Sequence, residues 1–381
     1  MKRREIVVDL VKAAFTMLIV KVMATTSALI PWNNLVDNLC ILFAVCVVFV
    51  KICRLTYPLK KLIMLAGVAL LALYTCVRMG QYDLLITVIA ICLLMDEDLD
   101  AYINLMFKVQ VFIILAHIAV SEFLSLLGAG DNFWHMTDNR LRFNGGFAHA
   151  NVLACYTLSC MLMFAWKQFK HITTNQFAVM ACITVLSYAM SRSRTGLLLN
   201  LFLLLLLILT QNENKLVMKA IDPGLLLLFP ALTAFVFWAQ RQYAAGNSIA
   251  ILLDDLLTGR IKYAAYGYLR SGITWLPRYL DYADSGVVGW TPEWNLNTFT
   301  FDNLYSFLFL QMGIIWIAVF AVMIAVVRKK FDFRNKLFVL IWIFYGMVEV
   351  HGLNCFKFFP LLLLSTLFSA KGAEDHSICN D

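Results

Sequence analysis

About twelve apolar runs follow one another along this chain of 381 residues, and most are long enough to cross a lipid bilayer as a helix. Crossing about 30 Å of hydrocarbon at about 1.5 Å per residue takes roughly 20 residues. Each run is expected to be helical, because a single segment in lipid must satisfy its own backbone hydrogen bonds. The fold class is therefore predicted to be all-α, a polytopic membrane protein with about twelve transmembrane helices and one long extracytoplasmic loop.

The predicted spans divide the chain into three parts. Residues 1–239 are expected to hold helices one to nine, residues 240–303 an extracytoplasmic loop that is partly helical, and residues 304–381 helices ten to twelve with a cytoplasmic tail. The spans run from Ile6 to Ile30, Leu35 to Cys53, Leu62 to Val77, Leu84 to Met95, Tyr102 to Leu127, Phe147 to Trp166, Phe177 to Met190, Gly196 to Thr210, Gly224 to Ala239, Leu304 to Val327, Leu337 to Leu353 and Cys355 to Ala370. A mean hydropathy of +0.77, with only 14% charged residues, agrees with this class.

The charge pattern sets the orientation. Lys2, Arg3 and Arg4 place the N-terminus in the cytoplasm by the positive-inside rule. The basic connections that then face the same side are Lys51 to Lys61, Lys167 to Lys170, Lys215 to Lys219 and Arg328 to Lys336. Both termini are thus predicted to be cytoplasmic. The net charge of +7 belongs largely to these inner connections, which face anionic lipid, so it gives no reason to expect nucleic-acid binding.

Arginine predominates on the predicted outer face. The basic residues there are Arg78, Arg140, Arg142, Arg192, Arg194, Arg241, Arg260, Arg270, Arg278, Lys262 and Lys357. The positive-inside rule does not predict these outer charges, whereas a planar guanidinium suits bidentate binding of a phosphate. The outer arginines are therefore candidate ligands for a phosphorylated substrate, with Arg278 assigned to the loop surface.

The outer loop from Gln240 to Asn303 is too long to be structureless in a compact protein. Asn247 or Ser248 can cap a helix that follows as IAILLDDLLTGRIKYAAYGYLR, in which apolar positions recur at helical spacing. That helix is expected to lie on the membrane surface. The next stretch, SGITWLPRYLDYADSGVVGWTPEWN, mixes aromatic and acidic residues, which suits either a carbohydrate site or an interfacial aromatic belt.

The start of span six is a candidate anion site. In RLRFNGGFAHANVLACY, Gly145 and Gly146 permit positive φ or close backbone approach, and the helix that follows points its N–H groups outward. His149 and Asn151 are expected within its first turns. A buried, satisfied polar residue is the favoured interpretation of His149, ahead of a catalytic one.

Further candidates lie at the outer ends of later spans. The segment SRSRTG offers Arg192 and Arg194 with serine and threonine, either to a phosphate or as a stop for the short seventh span. At the start of span ten, Asp302 is expected either to cap the helix or to serve as base or substrate ligand. Glu349 and His351, near the outer end of span eleven, form an alternative base pair or simply line a seam of the bundle.

At these residues the chain resembles the superfamily of O-antigen polymerases and O-antigen ligases, integral membrane proteins that act on undecaprenyl-diphosphate-linked glycans at the outer face of the inner membrane. The similarity runs in order through RFNGGFAHAN, SRSRTG, TGRIKYAAY, GVVGW and DNLYSFLFLQMGII. The matching positions are Arg142 and Asn151 in the first motif, Arg194 in the second, Arg260 in the third, and Asp302 with Tyr305 in the last. The resemblance implies a GT-C-like membrane fold.

The resemblance also implies an activity. Ligases typically present a His in or just after the long loop, and this chain has none between His171 and His351, which favours a polymerase. A growing chain on undecaprenyl diphosphate would then be transferred to a single lipid-linked repeat unit. The residues expected to act are Arg142, Arg194 and Arg260 on the diphosphate, Arg270 as a lesser candidate, Asp302 on the acceptor hydroxyl, and Asn151, Tyr305, Glu349 and His351 in substrate binding.

No cofactor is expected, because no outer cluster of His, Asp and Glu has metal-ligand spacing and the ten cysteines form no CxxC pair. The expected partners are the lipid-linked donor and acceptor, the bilayer and a chain-length regulator, in the cytoplasmic membrane of a bacterium with an extracytoplasmic active site. Two rival functions remain open. A ligase would transfer a finished glycan to another acceptor, and a transporter or flippase would move lipid-linked sugars, although such proteins tend to place charge within the membrane, often in repeated halves.

Overall fold

The computed structural model describes residues 2–54, 57–128, 133–137, 140–211, 215–257, 259–280 and 301–368. Helices make up most of this part of the chain. In the first half they are α1 Lys2–Thr25, α2 Asn34–Arg54, α3 Leu59–Met79, α4 Asp83–Leu94, α5 Leu99–Leu126, α6 Ala150–Lys167, α7 Thr174–Ser191 and α8 Arg194–Gln211, with strands β1 Trp134–Thr137 and β2 Arg140–Phe143 between α5 and α6. In the second half they are α9 Lys215–Ala244, α10 Ser248–Leu256, α11 Arg260–Ser271, α12 Leu304–Phe307, a π-helix Leu308–Met312, α13 Ile314–Lys330, α14 Phe333–Tyr345, 3₁₀-helices Val350–Leu353 and Phe359–Leu364, and α15 Ser365–Phe368.

Five helices in the described residues are long and apolar enough to cross a membrane. They are α2, α3, α5, α8 and α9, with 21, 21, 28, 18 and 30 residues. Asp83–Leu94 and Phe359–Phe368 are shorter apolar helical segments. The chain is therefore a mainly helical membrane-embedded protein, and all five long helices coincide with predicted spans.

The three predicted spans nearest the C-terminus are not continuous helices. The one from Leu304 to Val327 is broken into α12, the π-helix and α13, and the one from Leu337 to Leu353 already leaves the α-helix at Tyr345. In the third, Pro360 is the second residue of the 3₁₀-helix Phe359–Leu364, where its missing N–H costs no internal hydrogen bond.

Gly313 explains the break between the π-helix and α13. Its φ is +94°, and a Cβ there would lie 2.6 Å from the carbonyl oxygen of Trp275. The segment around Trp275 occupies that space, since the N–H of Thr274 donates to Phe309 and the N–H of Ile314 donates to Thr274, each at 3.0 Å. The π-helix and Gly313 thus leave room for the segment around Trp275.

The contacts divide the chain into two compact units. Unit 1 comprises residues 1–66, 86–218 and 354–381, and unit 2 comprises residues 67–85 and 219–353. In unit 1, α6 is the central helix, because it packs against α5, α7, α8 and the 3₁₀-helix Phe359–Leu364. Its residues are apolar on all sides and most are buried, which is the pattern expected of a core helix.

A buried ion pair joins helices of unit 1 near the end of α2. Lys51 has no exposed side-chain surface, and its Nζ donates to the carbonyl of Leu93 at 2.6 Å and to Oε1 of Glu97 at 2.7 Å. The sequence placed Lys51 at the start of a basic connection, whereas the structure has it inside the last turns of α2 with its side chain buried. A long alkyl stem lets a lysine at a helix end reach either water or a buried carboxylate.

The core of unit 2 is aromatic. Phe229 on α9 lies against Tyr305, Phe320 and Trp342, with ring centroids 5.7, 6.4 and 6.5 Å away. Nearby, the indole of Trp316 donates to Oγ1 of Thr75 at 2.8 Å. Rings of this size bury a large apolar area, and the polar tips of the tyrosine and tryptophans find partners within the core.

Candidate functional sites

The loop before α6 is fixed by two glycines. Gly145 and Gly146 have φ of +61° and +79°, and a Cβ on Gly146 would lie 2.7 Å from Leu29 and 3.1 Å from the backbone oxygen of His117. Backbone hydrogen bonds of 2.8 Å join Ala28 to Gly146 and Ala148 to Thr26. The predicted need for positive φ and close backbone approach is confirmed, and the start of α6 is held in one place.

Arg142 on β2 joins two of the predicted motifs. Its Nη2 donates to Oδ1 of Asn151 in the first turn of α6 at 2.5 Å, and its Nε donates to the carbonyl of Ser191 at the end of α7 at 2.8 Å. A guanidinium with several fixed acceptors has little freedom to rotate. The structure therefore brings the first motif, with Arg142 and Asn151, next to the SRSRTG turn, which lies about 50 residues further along the chain.

The SRSRTG turn presents two more arginines at the same place. Arg192 takes a left-handed φ of 52° as the C-cap of α7, and Arg194 is the first residue of α8. Both are exposed, and neither has an acidic partner within the described residues. The turn is tight because Oγ of Ser193 accepts the N–H of Gly196 at 3.3 Å.

Two histidines lie beside Arg142. His135 faces Arg142 directly across the β1–β2 hairpin, and its ring centroid is 6.4 Å from that of His149. His149 is the N-cap of α6, and its Nδ1 accepts the N–H of Asn151 at 3.2 Å. His149 is exposed, so its interpretation as a buried polar residue is wrong. His135 was not singled out from the sequence, because nothing there signalled a hairpin.

We call this group the arginine corner, and it consists of Arg142, Arg192, Arg194, His135 and His149. Arg194 begins α8, Arg192 caps the C-terminal end of α7, and Arg142 is held by hydrogen bonds to the first turn of α6 and to the end of α7. Helix N-termini carry partial positive charge and orphan N–H groups, and guanidinium groups bind phosphate oxygens in pairs. The arginine corner of unit 1 is therefore suited to an anion with several oxygens.

A second group of charged residues lies in unit 2. Nη2 of Arg260, at the start of α11, is 3.7 Å from Oε1 of Glu349, and the two side chains are 14% and 15% exposed. Burial raises the pKa of the Glu349 carboxyl to about 7, with Arg260 opposing the rise and Asp302 adding to it. We call Arg260, Asp302 and Glu349 the carboxylate cluster.

Asp302 does not cap the helix that follows it. The N-cap of α12 is Asn303, whose Oδ1 accepts the N–H of Ser306 at 2.7 Å. The capping interpretation of Asp302 is therefore wrong, because the next residue is the cap. The negative charge of Asp302 instead acts on the carboxyl of Glu349. The neighbouring Tyr305 is fully buried, and its hydroxyl donates to the carbonyl of Ile343 at 2.7 Å, as a core residue would.

The remaining predicted residues of unit 2 occupy different places. His351 is partly buried in the 3₁₀-helix Val350–Leu353, and Arg270 is partly exposed in the last turn of α11. Arg278 is not a surface charge, because it donates to the carbonyls of Leu310 at 2.8 Å, Ser271 at 2.7 Å and Gly272. Its assignment to the loop surface is wrong, and its role is to hold the segment after α11.

The single helix predicted in the outer loop is two helices in the structure. Asn247 caps α10 as predicted, accepting the N–H groups of Ile249 and Ala250, but the helix ends at Leu256 and α11 starts anew at Arg260. The buried carboxylate of Asp254 accepts the N–H of Lys262 at 2.9 Å and so joins the two helices. Most of the predicted aromatic and acidic stretch, residues 281–295, lies outside the described residues.

The described residues contain no group of three or more His, Cys, Asp or Glu side chains placed to hold a metal ion. The chain matches no known protein family, no curated protein and no solved structure. The arrangement of its own residues is therefore the basis on which a function is proposed.

Proposed function

We propose that this protein is a membrane glycosyltransferase that polymerises oligosaccharide repeat units carried on undecaprenyl diphosphate at the extracytoplasmic face of a bacterial cytoplasmic membrane. The observation that carries the proposal is the arginine corner. Its arginines come from two motifs by which the sequence resembles the O-antigen polymerase and ligase superfamily, and the two motifs are in contact within unit 1. The termini are proposed to be cytoplasmic, and a chain-length regulator is a proposed partner.

Glycosyl transfer from a lipid diphosphate needs positive charge at the leaving group. The acceptor hydroxyl oxygen forms a bond to the anomeric carbon, and the bond from that carbon to the diphosphate oxygen breaks. The bonding pair stays on the diphosphate, whose negative charge grows. Fixed cations aimed at that charge lower the barrier, and one well-placed donor contributes about 3 kcal/mol.

Arg142 is held for this role before substrate arrives. Its bonds to Asn151 and to the Ser191 carbonyl set the plane of the guanidinium, so less ordering is needed on binding. Arg192 and Arg194 are exposed on the adjoining turn, and they supply charge that can reach a ligand. A ligase would use the same diphosphate chemistry, and the absence of a loop His in the sequence favours the polymerase.

The proposal is tested by variants of the arginine corner in cells whose own copy is deleted. Arg194→Lys keeps the charge but loses the planar fork, so it should reduce polymer nearly as much as Arg194→Ala, by about tenfold to a thousandfold. Arg54→Ala is the matched control, because Arg54 is exposed at the predicted cytoplasmic end of α2. The glycan ladder on a gel is the readout, with protein in the membrane quantified.

The deletion strain separates the rival functions. Loss of a polymerase leaves single repeat units on the surface glycan, loss of a ligase leaves polymer on the carrier lipid, and loss of a flippase leaves neither at the surface. A wild-type ladder from Arg194→Ala would contradict the role of the arginine corner.

A further inference from the structure

His117 is a buried titratable residue inside the long apolar helix α5, where an ionisable side chain needs fixed partners. Its Nδ1 lies 3.0 Å from the carbonyl oxygen of Ile113, and its Nε2 lies 2.9 Å from Oγ of Ser27, just after α1. These residues all belong to unit 1, which also holds the arginine corner.

The partners of the imidazole determine where its proton lies. A carbonyl oxygen can only accept, so Nδ1 carries the hydrogen and Nε2 of the neutral ring accepts the hydroxyl of Ser27. Oγ of Ser27 also accepts the N–H groups of Leu29 at 3.0 Å and Ile30 at 3.1 Å. Its one hydrogen and both of its lone pairs are therefore used, and the arrangement is complete only when His117 is neutral.

Ser27 and His117 also have the spacing of a nucleophile and its base. An attacking oxygen needs a lone pair directed at the electrophile, whereas both lone pairs of Ser27 accept backbone N–H groups. The pair is therefore suited to holding structure and not to covalent catalysis.

The pair holds the turn after α1 against the loop between β2 and α6. Ser27 forms an isolated antiparallel bridge with Phe147, and Ala28 and Ala148 each donate a backbone hydrogen bond of 2.8 Å across the same contact. The ring of His117 lies flat on the ring of Phe147, with centroids 4.7 Å apart and planes 9° from parallel. His117 thus contacts both sides of the junction.

This loop sets the geometry of the arginine corner. Residues 144–149 connect β2, which carries Arg142, to α6, which carries Asn151 in its first turn. Nη2 of Arg142 donates to Oδ1 of Asn151 at 2.5 Å. A displacement of the loop therefore moves this donor and acceptor relative to each other.

We propose that His117 is a positioning residue of the arginine corner, and that it acts through Ser27 and Phe147 only while its imidazole is neutral. This inference rests on the proposed function and deepens it, because it makes the geometry of that site depend on pH. A proton on Nε2 would face a hydroxyl whose lone pairs are both taken, and that hydroxyl would lose its own acceptor. The bond between His117 and Ser27 is therefore present above the pKa of His117 and lost as the pH falls through it.

Within the described residues, the groups that act on the imidazole are uncharged. They are the Ser27 hydroxyl after α1, the Ile113 carbonyl on α5 and the Phe147 ring, which in turn lies 5.3 Å from the ring of Tyr156 on α6. The charged side chains nearest in sequence are engaged elsewhere. Lys21 on α1 pairs with Asp37 at 2.9 Å, and Glu122 on α5 accepts the indole N–H of Trp134 at 3.2 Å.

The first test follows polymer formation from about pH 5 to 8, with purified full-length protein in nanodiscs and lipid-linked repeat units extracted from the deletion strain. Wild-type activity should fall by about 10- to 100-fold toward pH 5, since a small displacement of a binding group causes losses of that order. His117→Gln offers an amide oxygen to the Ser27 hydroxyl and cannot be protonated, so it should stay active and lose this pH dependence. His135 and His149 titrate in the same range and are unchanged in this variant, so a fall that persists in His117→Gln overturns the inference.

The second test needs no activity and decides the matter if His117→Gln is inactive at every pH. Hydrogen exchange, read by mass spectrometry and corrected for the direct effect of pH on exchange, reports the protection of residues 26–30 and 144–148. Wild-type protection should fall about tenfold when the pH is lowered through the titration of His117, as expected for the loss of one hydrogen bond, and that of His117→Gln should not change. Wild-type protection that is the same at both pH values would overturn the inference.

Two serine variants form a matched pair. The hydroxyl of Ser121 bonds the carbonyl of Ile118 on its own helix at 3.0 Å, whereas that of Ser27 bonds His117. At neutral pH, Ser27→Ala should lower polymer formation by about 10- to 100-fold, and Ser121→Ala by less than about twofold. Equal effects of the two variants would contradict the role of Ser27. A wild type that makes no polymer at any pH would contradict the proposed function, and hydrogen exchange would then decide separately whether His117 holds the loop.

Discussion

Replacing Arg278 with lysine should destabilise unit 2, although the exchange keeps the charge. The guanidinium spans three backbone carbonyls, those of Leu310, Ser271 and Gly272. An ammonium is a compact donor at the end of a flexible stem, and it can reach about one of these carbonyls in the same geometry. About two hydrogen bonds from a charged donor are therefore lost.

The magnitude follows from those two bonds. A hydrogen bond from a charged group contributes about 1.5–3 kcal/mol, and Arg278 is partly exposed, so water can replace some of the loss. Arg278→Lys should thus lower the free energy of unfolding by about 2–4 kcal/mol. The same segment meets the π-helix and Gly313, so the change should loosen that region.

The assay is thermal unfolding of purified protein in nanodiscs, with Arg241→Lys as the control. Arg241 is exposed and lies over the ring of Phe237 at 5.5 Å, so its replacement should change stability by less than about 0.5 kcal/mol. An Arg278→Lys protein as stable as the control would contradict the claim that the three hydrogen bonds of Arg278 stabilise unit 2. The result also matters for function, because loss of polymer after any Arg278 change would report folding instead of diphosphate binding.

Two further predictions concern other parts of the chain. Lys51→Ala leaves the carboxylate of Glu97 without its buried partner and should cost about 3–5 kcal/mol in a chemical-denaturation assay, whereas exposed Lys60→Ala should cost less than about 0.5 kcal/mol. On α10, Leu252 and Leu256 are 61% and 72% exposed on one face, and spin labels placed there by cysteine substitution should be more accessible to oxygen than to a water-soluble nickel complex. Greater accessibility to the nickel complex at both sites would contradict an interfacial helix.

Local sequence patterns predicted the features that depend on local physics. The long apolar runs coincide with α2, α3, α5, α8 and α9, because length and hydropathy alone decide whether a helix can span lipid. Asn247 was one of two candidate caps, with Ser248, because a capping side chain bonds the N–H groups that follow it directly, and the structure shows that Asn247 is the cap. The positive φ of the glycine pair before α6 could likewise be anticipated, since tolerance of positive φ is a property of glycine itself.

Features that depend on tertiary contacts could not be predicted from the sequence. The break at Gly313 depends on the chain around Trp275, which is far away in sequence. Arg278 and Arg142 have the same side chain, yet Arg278 binds carbonyls at the end of α11 and in the π-helix, whereas Arg142 joins β2 to α6 and α7. The burial of Lys51 and the exposure of His149 depend in the same way on which groups the fold brings near.

The candidate sites contain both features that the sequence predicted and features that only tertiary contacts determine. The motif with Arg142 and Asn151 and the motif with Arg194 were predicted separately, and the hydrogen bond from Arg142 to Ser191 joins them. The pairing of Arg260 with Glu349 had no local signal, because about 90 residues separate them and neither residue type requires the other. His135 was missed for the same reason, since its place beside His149 comes from a four-residue strand pairing.

The most direct test of the proposed function is reconstitution of the purified protein with one lipid-linked repeat unit as both donor and acceptor. The products, released from the lipid by mild acid, are separated by size and weighed by mass spectrometry. A polymerase should produce a ladder of glycans that differ by one repeat unit, with release of one undecaprenyl diphosphate for each bond formed. Repeat units that stay single in the presence of folded protein, with no diphosphate lipid released, would contradict the proposed function.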